Sequence, residues 1–259
     1  MDGFVFALGL ALVVGTYMTL WYGLASYAKR LDLVDIAWGL GFVLVAWVSL
    51  AIRGNFGTLQ LVSASLVTLW GVRLAVHIGR RNLRKPEEDH RYQAMRKKWG
   101  TKTYKAFINV FLLQGLLLCL VSLPMLAIAF SSHTIPAWSY LGLGIWVAGI
   151  VFEALADWQL AKFLQRRPPK SHAIMDHGLW KYSRHPNYFG EITTWWGAAL
   201  VALSVGGWWG VFGAVLITVL IVKVSGLPPL EKHYEGNPAY ATYRERTSVL
   251  IPLPPRSGK

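Results

Sequence analysis

The chain has 259 residues, of which 54% are apolar and 15% are charged, well below the roughly 25% charged residues of soluble domains. Its apolar residues come in blocks as long as the roughly 20 residues that a helix needs to cross a bilayer, which excludes an ordinary soluble domain. The net charge of +13 fits basic loops on anionic lipid, or a polyanionic ligand such as a nucleotide. Nucleic acid is not expected, because most of the surface would face lipid. One cysteine, Cys119, excludes a disulfide within the chain.

The uncharged stretches predict an all-α, polytopic membrane protein with seven transmembrane helices in a single membrane domain, residues 1–259. A proline and small polar residues at 131–136 separate the fourth span from the fifth. The stretch 192–222 is divided at Gly206 and Gly207. In chain order the first five spans are expected at about 3–28, 34–52, 58–79, 107–130 and 138–164, and the last two lie within 192–222, on either side of the break at 204–207.

Loops rich in lysine and arginine alternate with loops that have few of these residues. This alternation sets the expected orientation in the membrane. The loop between spans 3 and 4, residues 80–105, carries ten of these residues, whereas the loop between spans 4 and 5 carries none. The loop between spans 5 and 6 is basic through Lys162, Arg166, Arg167, Lys170, Lys181 and Arg184, and the tail is basic again. Basic loops stay in the cytoplasm, so an even number of spans must separate that loop from the tail. The prediction is seven spans, with the N-terminus outside and the C-terminus cytoplasmic.

Five ionisable residues fall inside the predicted spans: Asp35, Arg73, His77, Glu153 and Asp157. Such groups are costly at membrane depth and mark function by default. Arg73 and His77 lie four residues apart, as do Glu153 and Asp157, so each pair shares one helix face. The alternative is interfacial snorkelling or a helix-end ion pair, such as Arg73 with Asp157. All five lie at predicted cytoplasmic ends, which favours a shared polar cavity.

The densest polar stretch is 181–191, which leads directly into span 6. Pro186 is expected to begin the helix. The donors around it are Ser183, Arg184, His185, Asn187 and Tyr188. Donors at a helix N-terminus favour phosphate or carboxylate, because the free N–H groups and the helix dipole attract anions. Glu191, one turn further on, could accept hydrogen bonds from a ribose or an amide. The alternative is an ordinary capped helix start.

The tail forms a second polar cluster, in which Glu231, Tyr234, Tyr240 and Tyr243 alternate with basic residues. Taken alone, this pattern favours a solvated amphipathic helix with a tyrosine face on lipid headgroups. Other chemistries lack their motifs. The histidines are too sparse for a di-iron oxygenase, a zinc site has no cysteine partner, and no glycine-rich dinucleotide fingerprint is present. A bound nucleotide would therefore be held by side chains between helices.

The stretch 178–191, with Trp195-Trp196-Gly197 after it, resembles the C-terminal domain of the steroid 5α-reductase family, and is most similar to its bacterial branch. Asp157-Trp158-Gln159 and Leu250-Ile251-Pro252 fit the same pattern. Val34-Asp35, Trp38-Gly39, Trp70-Gly71 and Arg73 also look like that branch. The resemblance is specific over about 153–252 and weaker before that. It implies a seven-helix membrane reductase, in a bacterial inner membrane, that uses NADPH to reduce the Δ4 double bond of a 3-oxo steroid or a related enoyl lipid.

The resemblance also implies that different parts of the chain bind the substrate and the cofactor. Residues 1–105 would form the substrate side with its basic loop, and 106–259 the reductase-like region with the cofactor site. Asp35 would be the carboxylate at the substrate carbonyl. Trp70 stands where the family has a tyrosine, and Arg73 lies beside it as a third catalytic candidate. The expected NADPH-binding residues are Arg81, Arg84, Glu153, Asp157, Arg166, Tyr182, Arg184, His185, Asn187, Tyr188, Glu191, Glu231, Tyr234 and Tyr243.

Two other functions compete with this interpretation. Isoprenylcysteine carboxyl methyltransferases share the Arg-His-Pro-x-Tyr motif and a similar tail, but they bind S-adenosylmethionine. The extra N-terminal helices and the acidic span 5 favour the reductase. A lipid-binding or assembly protein with no catalytic activity would leave the charges inside the spans unexplained. The expected partners are a hydrophobic substrate that enters from the membrane and the membrane lipids themselves.

Overall fold

A computed structural model of the chain describes residues 3–100, 102–132, 134–166 and 173–256. These residues are helical apart from turns, loops and one isolated β-bridge between Ser183 and Ser248. The all-α prediction is therefore confirmed for the described chain. Arg167 and Lys170 of the predicted basic loop, and His133 of the predicted break, lie outside the described residues.

Within the described ranges, twelve α-helices follow in chain order, some of them joined by short 3-10 or π-helical stretches. They are α1 (Gly3–Tyr27), α2 (Val34–Arg53), α3 (Thr58–Leu83), α4 (His90–Trp99), α5 (Tyr104–Ala106), α6 (Leu113–Val121), α7 (Leu123–Phe130), α8 (Ser139–Arg166), α9 (Pro186–Ser204), α10 (Val211–Val219), α11 (Leu227–His233) and α12 (Pro238–Arg246). The residues between α5 and α6, Phe107–Leu112, are π-helical.

In the part of the chain that the structure describes, six helical segments are long and apolar enough to cross a membrane, judged by length and composition. They are Gly3–Tyr27, Leu31–Arg53, Thr58–Leu83, Tyr104–Val121, Ser139–Arg166 and Trp208–His233. Helix α9 occupies the place of the predicted sixth span and has 19 residues, but it is not among the six. Its first two turns carry Asn187, Glu191 and two threonines, which lower its apolar character. The seven-span count and the orientation of the termini stay predictions.

The predicted fourth span, 107–130, is not one helix. The helix that begins at Tyr104 ends at Val121, and Ser122 separates it from α7. Pro124 stands in the first turn of α7, where its missing N–H leaves no helical hydrogen bond unmade. Helix α3 runs on to Leu83, four residues beyond the predicted end of the third span at residue 79.

The chain divides into two compact units: residues 1–136 with 202–212, and residues 137–201 with 213–259. In the first unit, α2 and α3 cross with glycine against glycine. A Cβ atom on Gly71 would lie 2.4 Å from the carbonyl oxygen of Gly39, so only glycine permits this approach. Phe42 and Trp70 pack edge to face beside the crossing, with ring centroids 5.5 Å apart.

In the second unit, α8 and α9 pack in the same way over a longer contact. A Cβ atom on Gly149 of α8 would lie 2.4 Å from the backbone nitrogen of Thr194, and one on Gly197 of α9 would lie 2.4 Å from that of Trp146. Gly190 would meet the backbone of Glu153 at 2.6 Å. The two backbones therefore run almost in contact. This contact fixes the side chains at the start of α9 beside the carboxylates of α8.

The turn predicted at Gly206 and Gly207 is present in the structure. Helix α9 ends at Ser204, and Gly206 adopts a positive φ of 82° that favours glycine. The N–H of Gly207 donates to the carbonyl of Ala202 at 2.8 Å, which closes the turn before the 3-10 helix Trp208–Gly210.

Candidate functional site

Helix α9 begins at Pro186, as predicted, and its first turns bring Asn187 and Glu191 beside α8. The Asn187 amide nitrogen donates to a carboxylate oxygen of Asp157 at 3.3 Å. Glu153 and Asp157 are 2% and 6% exposed, so α8 presents a buried acidic face here. We call Glu153, Asp157, Asn187 and Glu191 the α8–α9 face. Its two flanking helices supply carboxylates and one amide, groups suited to hydroxyl and carboxamide ligands.

A second cluster joins the tail to the segment just before α9. We call Arg184, His185, Glu231 and Tyr240 the Glu231 cluster. One oxygen of Glu231 accepts from the Arg184 Nε at 3.1 Å, and the other accepts from its Nη2 at 3.1 Å. His185 Nε2 lies 2.8 Å from the first oxygen, and the Tyr240 hydroxyl donates to it at 2.6 Å. A bidentate arginine pair of this kind is strong and geometrically specific.

The same segment binds the tail through its backbone. Arg184 Nη1 donates to the carbonyl of Thr247 at 2.8 Å, and the Ser183 hydroxyl donates to that of Leu250 at 2.7 Å. The N–H of Leu253 donates to the Tyr182 carbonyl at 3.0 Å. These hydrogen bonds hold the tail across residues 182–184. They fix the backbone that leads into α9.

The tyrosines of the tail are donors held in their protonated form. Burial raises the pKa of Tyr240 above its ordinary value, and its hydrogen bond to the Glu231 carboxylate raises it further. Burial likewise raises the pKa of Tyr243, whose hydroxyl donates to the carbonyls of Trp180 and Ser183. Both hydroxyls therefore serve as structural donors across the physiological pH range.

The structure gives Arg184 and His185 a different environment from the one the sequence suggested. They were expected to offer open donors at a helix N-terminus, but they are 8% and 4% exposed and engage Glu231. His185 also stacks on Tyr188, with ring centroids 5.8 Å apart. Their contacts tie α9 to the tail. Cofactor binding by these side chains stays a prediction.

The remaining predicted cofactor residues of this unit lie closer to solvent. Arg166 ends α8 and is exposed, as is Tyr182. Tyr234 is half-buried and stacks on Tyr240, with ring centroids 4.8 Å apart. It lines an open cleft of about 410 Å³ between α11 and α12 that Glu231 and Arg244 also border.

In the other unit, Asp35 stands at the start of α2 and is held by helix α4. Its Oδ1 accepts from the Tyr92 hydroxyl at 2.6 Å, and its Oδ2 accepts from Arg91 Nη2 at 3.1 Å. Arg91 also donates to Asp89, the N-cap of α4, at 3.0 Å. Burial raises the pKa of Tyr92 well above its ordinary value, and the Asp35 carboxylate adds to this. The Asp35–Tyr92 pair therefore joins a half-buried carboxylate to a buried phenol that keeps its proton.

The other residues predicted at the substrate end occupy varied positions. Trp70 is 1% exposed and packs in the core against Phe42, and Arg73 lies one turn further along α3, half-buried. Arg81 and Arg84 are exposed at the end of α3, where Arg81 Nε donates to the Asn82 side chain at 3.1 Å. Their catalytic and cofactor roles stay predictions.

The sequence predicts no site role for Arg91 or Tyr92, and it does not predict the bond between Tyr240 and Glu231. Arg91 and Tyr92 fall in a stretch read as a basic loop, and nothing in the local pattern pairs them with Asp35, 57 residues before Tyr92. Asp89 before a helical run is a recognisable N-cap signal, so α4 itself could have been found. Tyr240 was noted in the tail, but its bond to Glu231 depends on the turn between α11 and α12.

The chain is similar to an uncharacterized protein along nearly all of its length and to named mammalian enzymes along part of it. An uncharacterized protein of Schizosaccharomyces pombe is 26% identical over 285 residues, which is 96% of this chain and 79% of that protein. The 3-oxo-5-alpha-steroid 4-dehydrogenase 1 of Macaca fascicularis is 30% identical over 113 residues, which is 44% of this chain and 40% of that enzyme. The human enzyme of the same name is 34% identical over 67 residues, 26% of each chain.

These alignments cover two fifths or less of the steroid dehydrogenases' own length. They support the resemblance to that enzyme family, while the bacterial branch stays a prediction. No solved structure gives a significant match. One family model matches residues 21–247, most of the chain. The chain therefore belongs to the DUF1295 family, whose description is "protein of unknown function".

Proposed function

We propose that this protein is an NADPH-dependent membrane reductase that transfers hydride to the carbon–carbon double bond of an enone lipid, with a 3-oxo-Δ4 steroid as the first substrate to test. The observation that carries the proposal is the similarity to mammalian enzymes named 3-oxo-5-alpha-steroid 4-dehydrogenase 1. Six helices apolar enough to cross a membrane suit a substrate that partitions into lipid.

The α8–α9 face supports a nicotinamide nucleotide as the cofactor. Its carboxylates suit ribose hydroxyl groups, and the Asn187 amide suits a carboxamide, since it offers both a donor and an acceptor. Thirteen residues separate Glu153 from the exposed Arg166 on α8, about 20 Å of helix. Lys162, one turn before Arg166, is also exposed. This stretch of α8 thus has buried acids at one end and exposed cations at the other. That arrangement matches a cofactor with sugars at one end and phosphates at the other.

In this proposal NADPH would supply the hydride. The protein would orient the cofactor and the substrate, protonate the substrate, and exclude water from the site. Asn187 and Glu191, one turn apart on α9, would hold the nicotinamide half, with Asp157 fixing the Asn187 amide. Cations such as Arg166 would meet the phosphates, where arginine makes bidentate bonds.

The Asp35–Tyr92 pair supports protonation at the carbonyl end of the substrate. A hydride added to the β-carbon pushes electrons toward the carbonyl oxygen, which must meet a hydrogen-bond donor. The Tyr92 hydroxyl is protonated, buried and 2.6 Å from a carboxylate oxygen. This chain has Trp70 where the family that it resembles has a tyrosine, so Tyr92 would supply the phenol and Asp35 would orient it.

The test uses the purified full chain in detergent. Calorimetry should detect binding of NADPH, and a 3-oxo-Δ4 steroid should be reduced with deuterium transferred from labelled NADPH to the product. Binding of S-adenosylmethionine together with no binding of NADPH would move the assignment to a methyltransferase. Binding of NADPH without steroid turnover would keep the reductase and reject the steroid, and a panel of enone and enoyl lipids would then identify the substrate class.

A further inference from the structure

Arginines and acids pair with one another at the polar end of the first unit, around the start of α2 and the end of α3. Arg30 makes a bidentate pair with Asp32, at 3.1 and 2.8 Å. Arg91 binds Asp35 and Asp89, as described above. Arg96 Nη2 donates to Glu88 at 3.0 Å, and a Glu88 oxygen also accepts from the backbone of Leu31. These pairs use arginine's planar fork to hold the loops together.

The lysines of the same region are left facing outward. Lys97, Lys98 and Lys102 are exposed and Lys105 is partly exposed; we call these four residues the lysine patch. No acidic residue occurs anywhere from 90 to 130 in the sequence. Within the described chain, no ion pair involves the patch, and Asp35, Asp89 and Glu88 pair with arginines instead. Four positive charges therefore lie within nine residues without a counter-charge.

The patch adjoins the start of a segment that is long and apolar enough to cross a membrane. Lys102 and Lys105 flank Tyr104, the first residue of a segment apolar enough to cross a membrane. The Tyr22 hydroxyl of α1 donates to the carbonyl of Thr103 at 3.3 Å, so the end of α1 lies alongside. Tyr104 is 56% exposed, in keeping with an aromatic ring at a membrane interface.

We propose that the lysine patch is a binding surface for anionic phospholipid headgroups. Clustered lysines next to a transmembrane helix attract anionic lipid, since each adds favourable energy near a negative surface. A lysine has a compact charge on a flexible stem that reaches a headgroup without a fixed geometry, whereas Arg30, Arg91 and Arg96 are committed to internal pairs. The surface belongs to the first unit and does not depend on the reductase activity.

The experiment compares three variants of the full chain in neutral detergent. The first is K97Q/K98Q/K102Q/K105Q. The matched control, K162Q/K181Q/K223Q/K232Q, removes the same charge from exposed lysines of the other unit. The third replaces the four patch lysines with arginine and keeps their charge. Phosphatidylglycerol or phosphatidylcholine is added to the micelles, and bound lipid is counted by native mass spectrometry while the thermal midpoint is followed.

Phosphatidylglycerol should raise the midpoint of the natural chain and bind in preference to phosphatidylcholine. The patch variant should bind it about tenfold more weakly or worse, while the control and the arginine variant keep most of the binding. Without lipid, the patch variant should unfold at the natural midpoint, because its lysines make no internal pair. Equal binding of the two lipids, equal loss in the control, or the same shift with inorganic phosphate would each overturn the proposal.

Discussion

Single side chains set the chemistry at the start of α2, where Asp35 meets both a guanidinium and a phenol. Arg91 and Tyr92 are neighbours on α4, and both donate hydrogen bonds to the Asp35 carboxylate, one from a charged guanidinium and the other from a neutral phenol. The Asp35 carboxylate has a structural role in holding α4 and, under the proposed function, a chemical role in orienting Tyr92. Substitutions that preserve shape can separate these two roles.

We expect Asp35→Asn to keep NADPH binding but to lose about 100-fold or more in turnover, the usual range for a general acid–base group. Asp89→Asn is the matched control, because Asp89 also binds Arg91 but does not touch Tyr92, and asparagine still caps a helix. Steady-state rates at saturating NADPH measure both. If the Asp35→Asn variant turned over substrate at close to the rate of the natural chain, Asp35 would have a structural role alone.

Glu231 is the second decisive residue, because four hydrogen bonds converge on its carboxylate. Glu231→Gln would leave the buried Arg184 guanidinium without its counter-charge. We expect a loss of about 3 kcal/mol in the free energy of unfolding, as for other broken buried pairs. Denaturation in detergent measures this loss.

Glu245→Gln is the control for Glu231, since Glu245 borders the same cleft but is exposed. It should change the free energy of unfolding by less than about 0.5 kcal/mol. Equal effects of the two variants would mean that the Glu231 cluster does not hold the tail.

At the scale of helices, glycines decide how closely pairs of elements approach. Gly149 of α8 faces the backbone of Thr194 and the carbonyl of Gly190, whereas Gly144 on the same helix has no heavy atom within 4 Å of a built Cβ. The two positions therefore form a matched pair within one element. The close contact matters for the site, because it sets the distance between the α8 carboxylates and Asn187.

Gly149→Ala should lower the free energy of unfolding by about 1–3 kcal/mol, since a new methyl group must push backbone rather than a flexible side chain. Gly144→Ala should be neutral or stabilising by up to about 1 kcal/mol, because alanine favours the helix. Thermal unfolding in detergent compares the two. A neutral Gly149→Ala would show that the α8–α9 contact is looser than described.

The docking of α4 should depend on pH through Asp89. Burial acts to raise the pKa of Asp89, but the hydrogen bonds and charge of Arg91 outweigh it and hold the pKa below its usual range. A lowered folded pKa stabilises the fold above the ordinary value of about 4. This stability is lost as the pH falls through the folded pKa. Unfolding midpoints below pH 4 should therefore fall less steeply for Asp89→Asn than for the natural chain.

At the scale of the whole molecule, charge is distributed unevenly along the membrane axis of the first unit. The loops at one end hold Lys29, Arg30 and the ten basic residues of 80–105, and Arg30 donates to the carbonyls of Asn82 and Lys85 across them. The loops at the opposite end hold Arg53. This asymmetry is what the positive-inside rule needs to orient a membrane protein.

We therefore expect the 80–105 segment and the C-terminus to face the cytoplasm, with the N-terminus outside. Replacing the single natural cysteine, Cys119, with alanine gives a background for labelling cysteines placed one at a time. Cysteines at Lys98 and Arg244 should be protected from an impermeant reagent in intact cells, and one at Ser132 should react. Labelling at Arg244 in intact cells would contradict the seven-span count.

Much of the fold was accessible from the sequence, because a membrane imposes simple rules on hydrophobic length. The starts of α1, α2 and α3 lie within a residue or so of the prediction, and the turn at Gly206 follows from charge alternation. The break at Ser122 was missed, since its neighbours are apolar and hydropathy alone cannot distinguish a kinked span from a straight one. Pro124 was the local signal.

The sequence by itself determined the all-helical, membrane-spanning class, the start of α9 at Pro186, and the spacing that puts Glu153 and Asp157 on one face. Each follows from local rules of hydrophobic length, proline geometry and helical period. Only the tertiary structure decided the partners: Tyr92 for Asp35, and Glu231 for Arg184. Those pairs join residues 57 and 47 positions apart. Long-range contacts depend on how helices cross and where the tail returns, and no local pattern encodes either.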